Sequence, residues 1–263
     1  MPPQSSPAHT TLILDADMLA YEAVAAVQEE IEWEPYCWTF TADIEVAATI
    51  FTKATARLIE AAGATHVVLA WSSGTNFRKG LYGPYKAGRG RKPVGYWAFR
   101  QAQEAATELC GIPCSSWVRE GLEGDDIIGV LMTRAANDMG TRILWSGDKD
   151  MLQIPGIRLN TPKGGTASIE VVHPDDAMLF HARQTLTGDS TDGYPGCPGM
   201  GPVSATKALS GVPLASVWAK VEACYVKAGL TRDDMLVQAR VARILHATDF
   251  DFNTKAPIPW LPS

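Results

Sequence analysis

Short apolar runs that stop at an aspartate constrain the fold of this chain more than any other feature. Thr11–Leu14 is one such run and ends at Asp15. Thr141–Trp145 is another and leads through Ser146 and Gly147 to Asp148. His66–Trp71 is a third apolar run, without the aspartate. Runs this short and this apolar read as buried strands. Between them lie segments of helical composition: Met18–Glu29, Phe40–Ala62 ended by Gly63, Tyr96–Leu109 stopping at Gly111, and Ile127–Met139 ended by Gly140. Strands alternating with helices predict an α/β fold with a central, mostly parallel sheet flanked by helices. Ligands of such sheets sit beyond the carboxyl ends of the strands, where Asp15 and Asp148 fall. After a turn-rich stretch from Asp189 to Pro202, a short helix (Ser204–Ser210) and a mainly helical Val217–His246 follow. The tail from Asp249 reads as a surface wrap.

Composition excludes several classes. Of 263 residues 46% are hydrophobic and 20% charged, enough apolar surface for a real core. The length suits one domain with a small lobe, or two domains. No uninterrupted apolar run reaches the roughly 18 residues of a membrane helix. The polar, proline-containing start (residues 1–10) lacks the pattern of a signal peptide and reads as a frayed tail. Five cysteines without a CxxC and five scattered histidines suggest neither a zinc site nor a disulfide framework, so a reducing cytoplasm is the expected compartment. The net charge of −6 argues mildly against a nucleic-acid partner, but its distribution argues for one. Arg78, Lys79, Lys86, Arg89, Arg91 and Lys92 follow one another with no acid between.

Four acidic groups stand out: Asp15 with Asp17, Glu123 with Asp125 and Asp126, Asp148 with Asp150, and Asp189 with Asp192. The first and third close strands, and the second opens a helix. Brought to one sheet edge, they would repel one another and raise one another's pKa. Magnesium or manganese relieves such repulsion and prefers oxygen ligands. Taken singly, each group has a plainer reading. Asp125 or Asp126 would be a helix cap, Asp192 a turn former, and the basic stretch a solvated face. The conjunction of four groups at matching topological positions favours a metal centre, with two ions able to clamp a phosphoryl displacement. Tyr82, Tyr85, Tyr96 and Trp97 interleave the basic stretch and could stack on an unpaired base, although Trp97 reads better as packing.

The order of these motifs resembles the 5′-nuclease (flap endonuclease) superfamily, and within it the 5′-3′ exonucleases of T-seven-type podophages. LILDADMLAY resembles the first-strand motif, FRKGLYGPYKAGR the entry to the helical arch, and LEGDD and SGDKDMLQI the acidic motifs. LTGDSTDGYPGCPGMGPVSATKAL resembles the helix–three-turn–helix element. The resemblance runs from Thr11 to the end. It implies a PIN-like core over 11–175, with an arch at about 78–110, and a helical region over 176–263 with the helix–three-turn–helix. By resemblance, Asp15, Glu123, Asp125, Asp126 and Asp148 surround one metal region, and Asp150, Asp189 and Asp192 hold or orient a second. Tyr85, Lys86 and Arg89 would act on the scissile phosphate. Arg78, Lys79, Arg91, Lys92, Lys207 and the glycines Gly196, Gly199 and Gly201 would touch DNA, with a potassium ion beside those glycines in relatives.

The activity so implied is metal-dependent 5′-3′ exonuclease and 5′-flap cleavage of DNA, with an RNase H-like action on RNA–DNA hybrids. The setting would be phage DNA replication, recombination or host-DNA breakdown, with replication partners. One departure is visible. Relatives commonly carry an aspartate just after the second strand, where this chain has Ser72 and Ser73; Asp17 is the acid that could compensate. Two rivals share some residues. Asp15-Ala-Asp17 and Ser72 match a haloacid-dehalogenase-like phosphatase, and the missing aspartate suits a non-catalytic DNA-binding protein on the same fold.

Overall fold

A computed structural model describes residues 9–135 and 140–262. The first strand, β1 (Thr10–Asp15), runs directly into helix α1 (Ala16–Ala25). A two-stranded hairpin follows, β2 (Gln28–Glu34) and β3 (Cys37–Ala42), then α2 (Ile44–Ala62) and β4 (His66–Trp71). The basic stretch carries one helical turn, α3 (Arg78–Leu81), and leads to α4 (Tyr96–Glu104). Next come β5 (Glu108–Leu109), β6 (Ile112–Val118), α5 (Gly124–Thr133) and β7 (Thr141–Trp145). The strands β8 (Gly156–Asn160) and β9 (Ser168–Val172) complete the sheet. Four helices follow: α6 (Pro174–Thr187), α7 (Pro202–Leu209), α8 (Val217–Lys227) and α9 (Arg232–Ala242). A small hairpin, β10 (Phe250–Asp251) with β11 (Ala256–Pro257), ends the chain.

The main sheet has seven strands in the order β5-β6-β4-β1-β7-β8-β9. From β6 to β8 all pairings are parallel; only β5 and β9 at the edges run antiparallel. The alternation of strands and helices therefore specified the right architecture. Side-chain alternation along β1 splits the core in two: Leu12 and Leu14 pack with α1, α2 and α4, while Ile13 packs with α5 on the opposite face. A third apolar cluster joins α6, α7, α8 and α9. The division expected at 175/176 falls inside α6. Among the described residues no helix is long and apolar enough to cross a membrane.

Several local expectations shift. Helix α2 starts at Ile44 rather than Phe40, because Asp43 caps it by accepting from the backbone N–H of Glu45 and Val46 at 3.0 Å. It ends at Gly63, whose φ of 58° suits a residue without Cβ. The residues on either side of Pro35 and Tyr36 form the β2–β3 hairpin instead of helix ends, as alternating Ile31, Trp33, Trp38 and Phe40 permit. Helix α4 stops at Glu104 and gives way to β5. Helix α5 is described to Thr133; residues 136–139 of the expected helix lie outside the described residues, as do residues 1–8 of the expected tail. Thr10 already belongs to β1. Trp260 in the tail packs on Trp218 and His181, with ring centroids 4.5 and 4.8 Å apart.

Gly129 lies on the face of α5 crossed by the 244–245 segment, and a Cβ there would come within 2.3 Å of the Leu245 carbonyl oxygen. Helix propensity alone would make Gly129→Ala stabilising by about 1 kcal/mol. The clash with backbone reverses the sign, and the substitution should destabilise by about 1–3 kcal/mol. Urea unfolding monitored by circular dichroism checks this, and a raised midpoint would refute the packing described.

Candidate active site

β1 lies between β4 and β7, so its carboxyl end opens onto the point where strand order reverses. A cleft of about 510 Å³ is found there. It is lined by the acids Asp15, Asp17, Glu123, Asp125 and Asp148 and by Lys86, Arg89, Arg91, Lys92, Trp97 and Arg100. The strands and α5 thus bring together acids from three of the four sequence groups, and the chain between α3 and α4 supplies the cations.

Asp15 caps α1 by accepting from the Met18 N–H at 3.1 Å, and its other oxygen accepts from the Ser146 hydroxyl at 2.8 Å. Burial pushes its pKa up to about 6, with Asp17 and Asp148 adding to the shift against those two hydrogen bonds. Burial raises Asp125 well above the carboxylate range, and Asp15, Glu123 and Asp148 reinforce it. Asp148 caps the 3-10 turn Lys149–Gln153 by accepting from Asp150 N–H at 2.8 Å. Burial followed by the Asp148 charge lifts Asp150 to about 6. One Asp150 oxygen accepts from Gln184 at 2.6 Å, while Oδ1 is buried with no hydrogen-bond partner.

Glu123 behaves oppositely. Burial opposes its ionisation, but Arg78 and Lys86 outweigh burial and hold its pKa down to about 2. Lys86 reaches it by an ion pair, and the Tyr85 hydroxyl donates to it at 2.8 Å. Lys86 has a left-handed backbone (φ 55°), fixed by its N–H donating to the Asp192 carbonyl at 2.8 Å. Asp192 binds Arg89 at 2.6 Å and lies 3.6 Å from the Lys86 ammonium. It is therefore an ion-pair partner, whereas Asp189 is the turn former, accepting from Thr191 N–H at 2.7 Å. Lys149 lies 3.7 Å from Asp189.

Two expected roles are corrected. Arg78 is only 2% exposed, so it is not a surface contact for DNA. Its guanidinium makes a bidentate pair with Asp126 at 2.7 Å on both oxygens and also donates to the carbonyls of Val241 and Arg243. Asp126 is fully buried and accepts from the N–H of Glu123 and Leu245, both at 3.1 Å. It is consumed by this network and is not a ligand open to the cleft. Lys79, Arg91, Lys92 and Lys207 are exposed, as are Gly199 and Gly201, while Gly196 is buried against Gly188.

Asp17 lies beside Ser72, one of the two serines found where an aspartate was expected. Its carboxylate accepts from the Ser72 N–H at 2.5 Å, from the Tyr96 hydroxyl at 2.7 Å and from Arg100 at 3.4 Å. Sequence patterns do not single out Arg100, Ser146 or Gln184. Ser146 could have been found from its place at the end of a strand, and Arg100 from its position four residues after Tyr96 on one helix face.

The chemistry of this donor set can be tested against a divalent ion. Cleft and second group offer only carboxylate oxygens, which suits magnesium or manganese. Among the described residues no three acidic, histidine or cysteine side chains are gathered tightly enough to ligate one ion as they stand. Magnesium keeps several waters and needs only one or two carboxylates, so the partnerless Asp150 Oδ1 and the mutually repelling Asp15, Asp125 and Asp148 fit such an ion.

Residues 10–177 match the model of the 5′-3′ exonuclease N-terminal resolvase-like domain. The chain belongs to the 5′-3′ exonuclease family. The exodeoxyribonuclease of Enterobacteria phage T3 and the exonuclease of Escherichia phage T7 are each 30% identical to it over 288 residues. That span covers 95% of this chain and 92% and 93% of theirs. A bacteriophage T5 flap endonuclease, solved as a pseudo-enzyme-product complex with DNA and metal ions, shares the fold: TM-score 0.55, 13% identity, 89% of this chain and 93% of that one. As a member of this family the chain is an enzyme of the 5′-3′ exonuclease class, as the motif order implied, and the phosphatase reading falls away.

Removing one partner of a buried ion pair leaves an uncompensated charge, at a cost of about 3–5 kcal/mol. Arg78→Leu should lose stability on that scale, and Arg78→Leu with Asp126→Leu should recover part of it. Urea unfolding of the pair decides; an unchanged single variant would show Arg78 to be dispensable.

Proposed function

We propose that the chain is a divalent-metal-dependent 5′-3′ exodeoxyribonuclease that also cuts 5′ flaps. One observation carries this reading: mutually repelling carboxylates at the carboxyl ends of the central strands share one cleft with a set of lysines and arginines. Asp15, Asp125 and Asp148, with Glu123, would surround one magnesium or manganese ion through one or two direct carboxylates and water, and Asp150 would hold a second, oriented by Asp189 and Asp192. Such ions supply the charge that activates water and stabilises the leaving oxygen of an in-line displacement.

The chain's own residues do the rest. The pKa values of Asp15 and Asp150 are raised to about 6, and a cation binding there would displace their protons to solvent. Lys86 and Arg89 already sit against Glu123 and Asp192, so a scissile phosphate entering the cleft would exchange carboxylate for phosphate around them and have its charge stabilised. Tyr85, buried and donating to Glu123, positions that carboxylate rather than the phosphate. Asp17 acts as the substitute for the absent aspartate by bracing Ser72 and α4.

Arg91, Lys92 and Lys79 would steer the strand, since lysine and arginine release counterions from phosphates. The open glycines Gly199 and Gly201, with Lys207, would let the duplex backbone approach, and a potassium ion would accompany them. The same cleft would accept RNA–DNA hybrids. The setting would be a phage-infected cytoplasm, in replication, recombination or host-DNA breakdown with replication partners.

The test is cleavage of a 5′-labelled duplex with a single-stranded flap, in magnesium, manganese or EDTA. Metal-dependent release of short 5′ products is expected, and Asp125→Asn should cut turnover by orders of magnitude while the protein stays folded. Tight binding without cleavage in either metal would favour a non-catalytic DNA-binding role.

A further inference from the structure

Four aromatic residues interleave the basic stretch, and the fold separates them sharply. Tyr96 is fully buried and donates to Asp17; Tyr85 is 3% exposed and donates to Glu123. Tyr82 is half-buried against Tyr85 and its neighbours. Trp97 alone is open, with 60% of its surface exposed, and it lines the catalytic cleft rather than the core. Packing was the better reading of Trp97 in the sequence; the structure reverses it.

An indole left 60% exposed gains little for folding, since most of its apolar surface stays in water. The ring is nevertheless held in place. It meets Tyr96 edge-on at 5.1 Å between centroids, and the Arg100 guanidinium lies 5.7 Å from its centre. Arg100 is in turn tied to the Ser72 carbonyl at 2.6 Å and to Asp17. Tyr21 of α1, 43% exposed, lines the same cleft, with the Lys92 ammonium 5.2 Å from its ring. The cleft therefore has three kinds of wall: acids for a metal, cations for phosphates, and a fixed, solvent-open aromatic face.

We propose that Trp97 is the platform on which an unpaired base beside the scissile phosphate stacks. This rests on the nuclease reading above and names the part of the substrate that the cleft recognises besides phosphate. The cleft volume of about 510 Å³ suits one nucleotide, lying inside the usual range of roughly 300–1,000 Å³ for small-ligand sites. Stacking needs only a π-face, so the contact fixes the position of the end without reading its sequence.

The test compares two 5′-flap substrates that differ only in the unpaired nucleotide beside the cut: one carries its base and the other is abasic. With the intact substrate, Trp97→Ala should lower kcat/KM about 5- to 160-fold, the range expected for one base–aromatic stack. Trp97→Phe, which keeps a π-face, should recover most of that loss. With the abasic substrate, wild type and Trp97→Ala should be equal. An equal loss on both substrates would make Trp97 a structural residue, and no loss on either would leave it without a role; both overturn the proposal. If the wild-type protein cleaves neither substrate in any divalent metal, the nuclease reading itself fails, and that outcome is distinct from the other two.

Discussion

Carboxylates that repel one another at the carboxyl ends of parallel strands are the constraint around which this molecule is built. Strand β1 is central and buried on both faces, so Asp15 at its end has little water to solvate its charge. The turn after β7 adds Asp148, and the first turn of α5 adds Asp125. A fold that places such groups together must supply positive charge. It does so from the basic stretch: Arg78 of α3 answers Asp126, and between α3 and α4 Lys86 answers Glu123 and Arg89 answers Asp192. The basic stretch is thus part of the site's electrostatic balance and is not merely a solvated face.

The Arg78–Asp126 pair joins this balance to the rest of the fold. Asp126 ties the N-terminus of α5 to Leu245, while Arg78 reaches the carbonyls of Val241 and Arg243 at the C-terminal end of α9. One buried pair therefore fastens the base of the basic stretch, the helix that carries Asp125, and the end of the helical region. The glycine turns between α6 and α7 close the circuit, since Asp189 and Asp192 stand at one end of that loop and Gly199 and Gly201 at the other. The cleft and the expected duplex-binding turns are parts of one connected unit.

The sheet was legible because three of its strands are continuous apolar runs, and such runs have few alternatives to burial between helices. β6 was not, since Pro113, Ser115 and Ser116 dilute its pattern. The β2–β3 hairpin was not, because its alternating apolar residues fall on opposite faces once paired (Ile31 opposite Thr39, Trp38 opposite Glu32) and no turn glycine marks it; the turn is made by Pro35 and Tyr36, with Tyr36 at a φ of 70°. The motif order singled out Asp15, Glu123, Asp125 and Asp148, and these line one cleft. Which acid faces the cleft and which is spent on a cation was not legible. Asp125 and Asp126 are adjacent in sequence, yet one opens to the cleft and the other to Arg78, because successive helical positions point about 100° apart. Likewise, nothing local distinguishes Tyr96 from Trp97; only the position of α4 against Asp17 buries one and exposes the other.

The central claim is that these carboxylates form a cation site whose charge repulsion the metal relieves, and proton release during metal binding tests it most directly. Asp15 and Asp150 have pKa values of about 6, so at pH 6 they are partly protonated, and a bound cation must displace those protons. Calorimetric titration with manganese in buffers of different ionisation enthalpy should show proton release at pH 6 that fades toward pH 8, and lower affinity at the more acid pH. Manganese binding that releases no protons at pH 6, or no binding at either pH, would contradict the account.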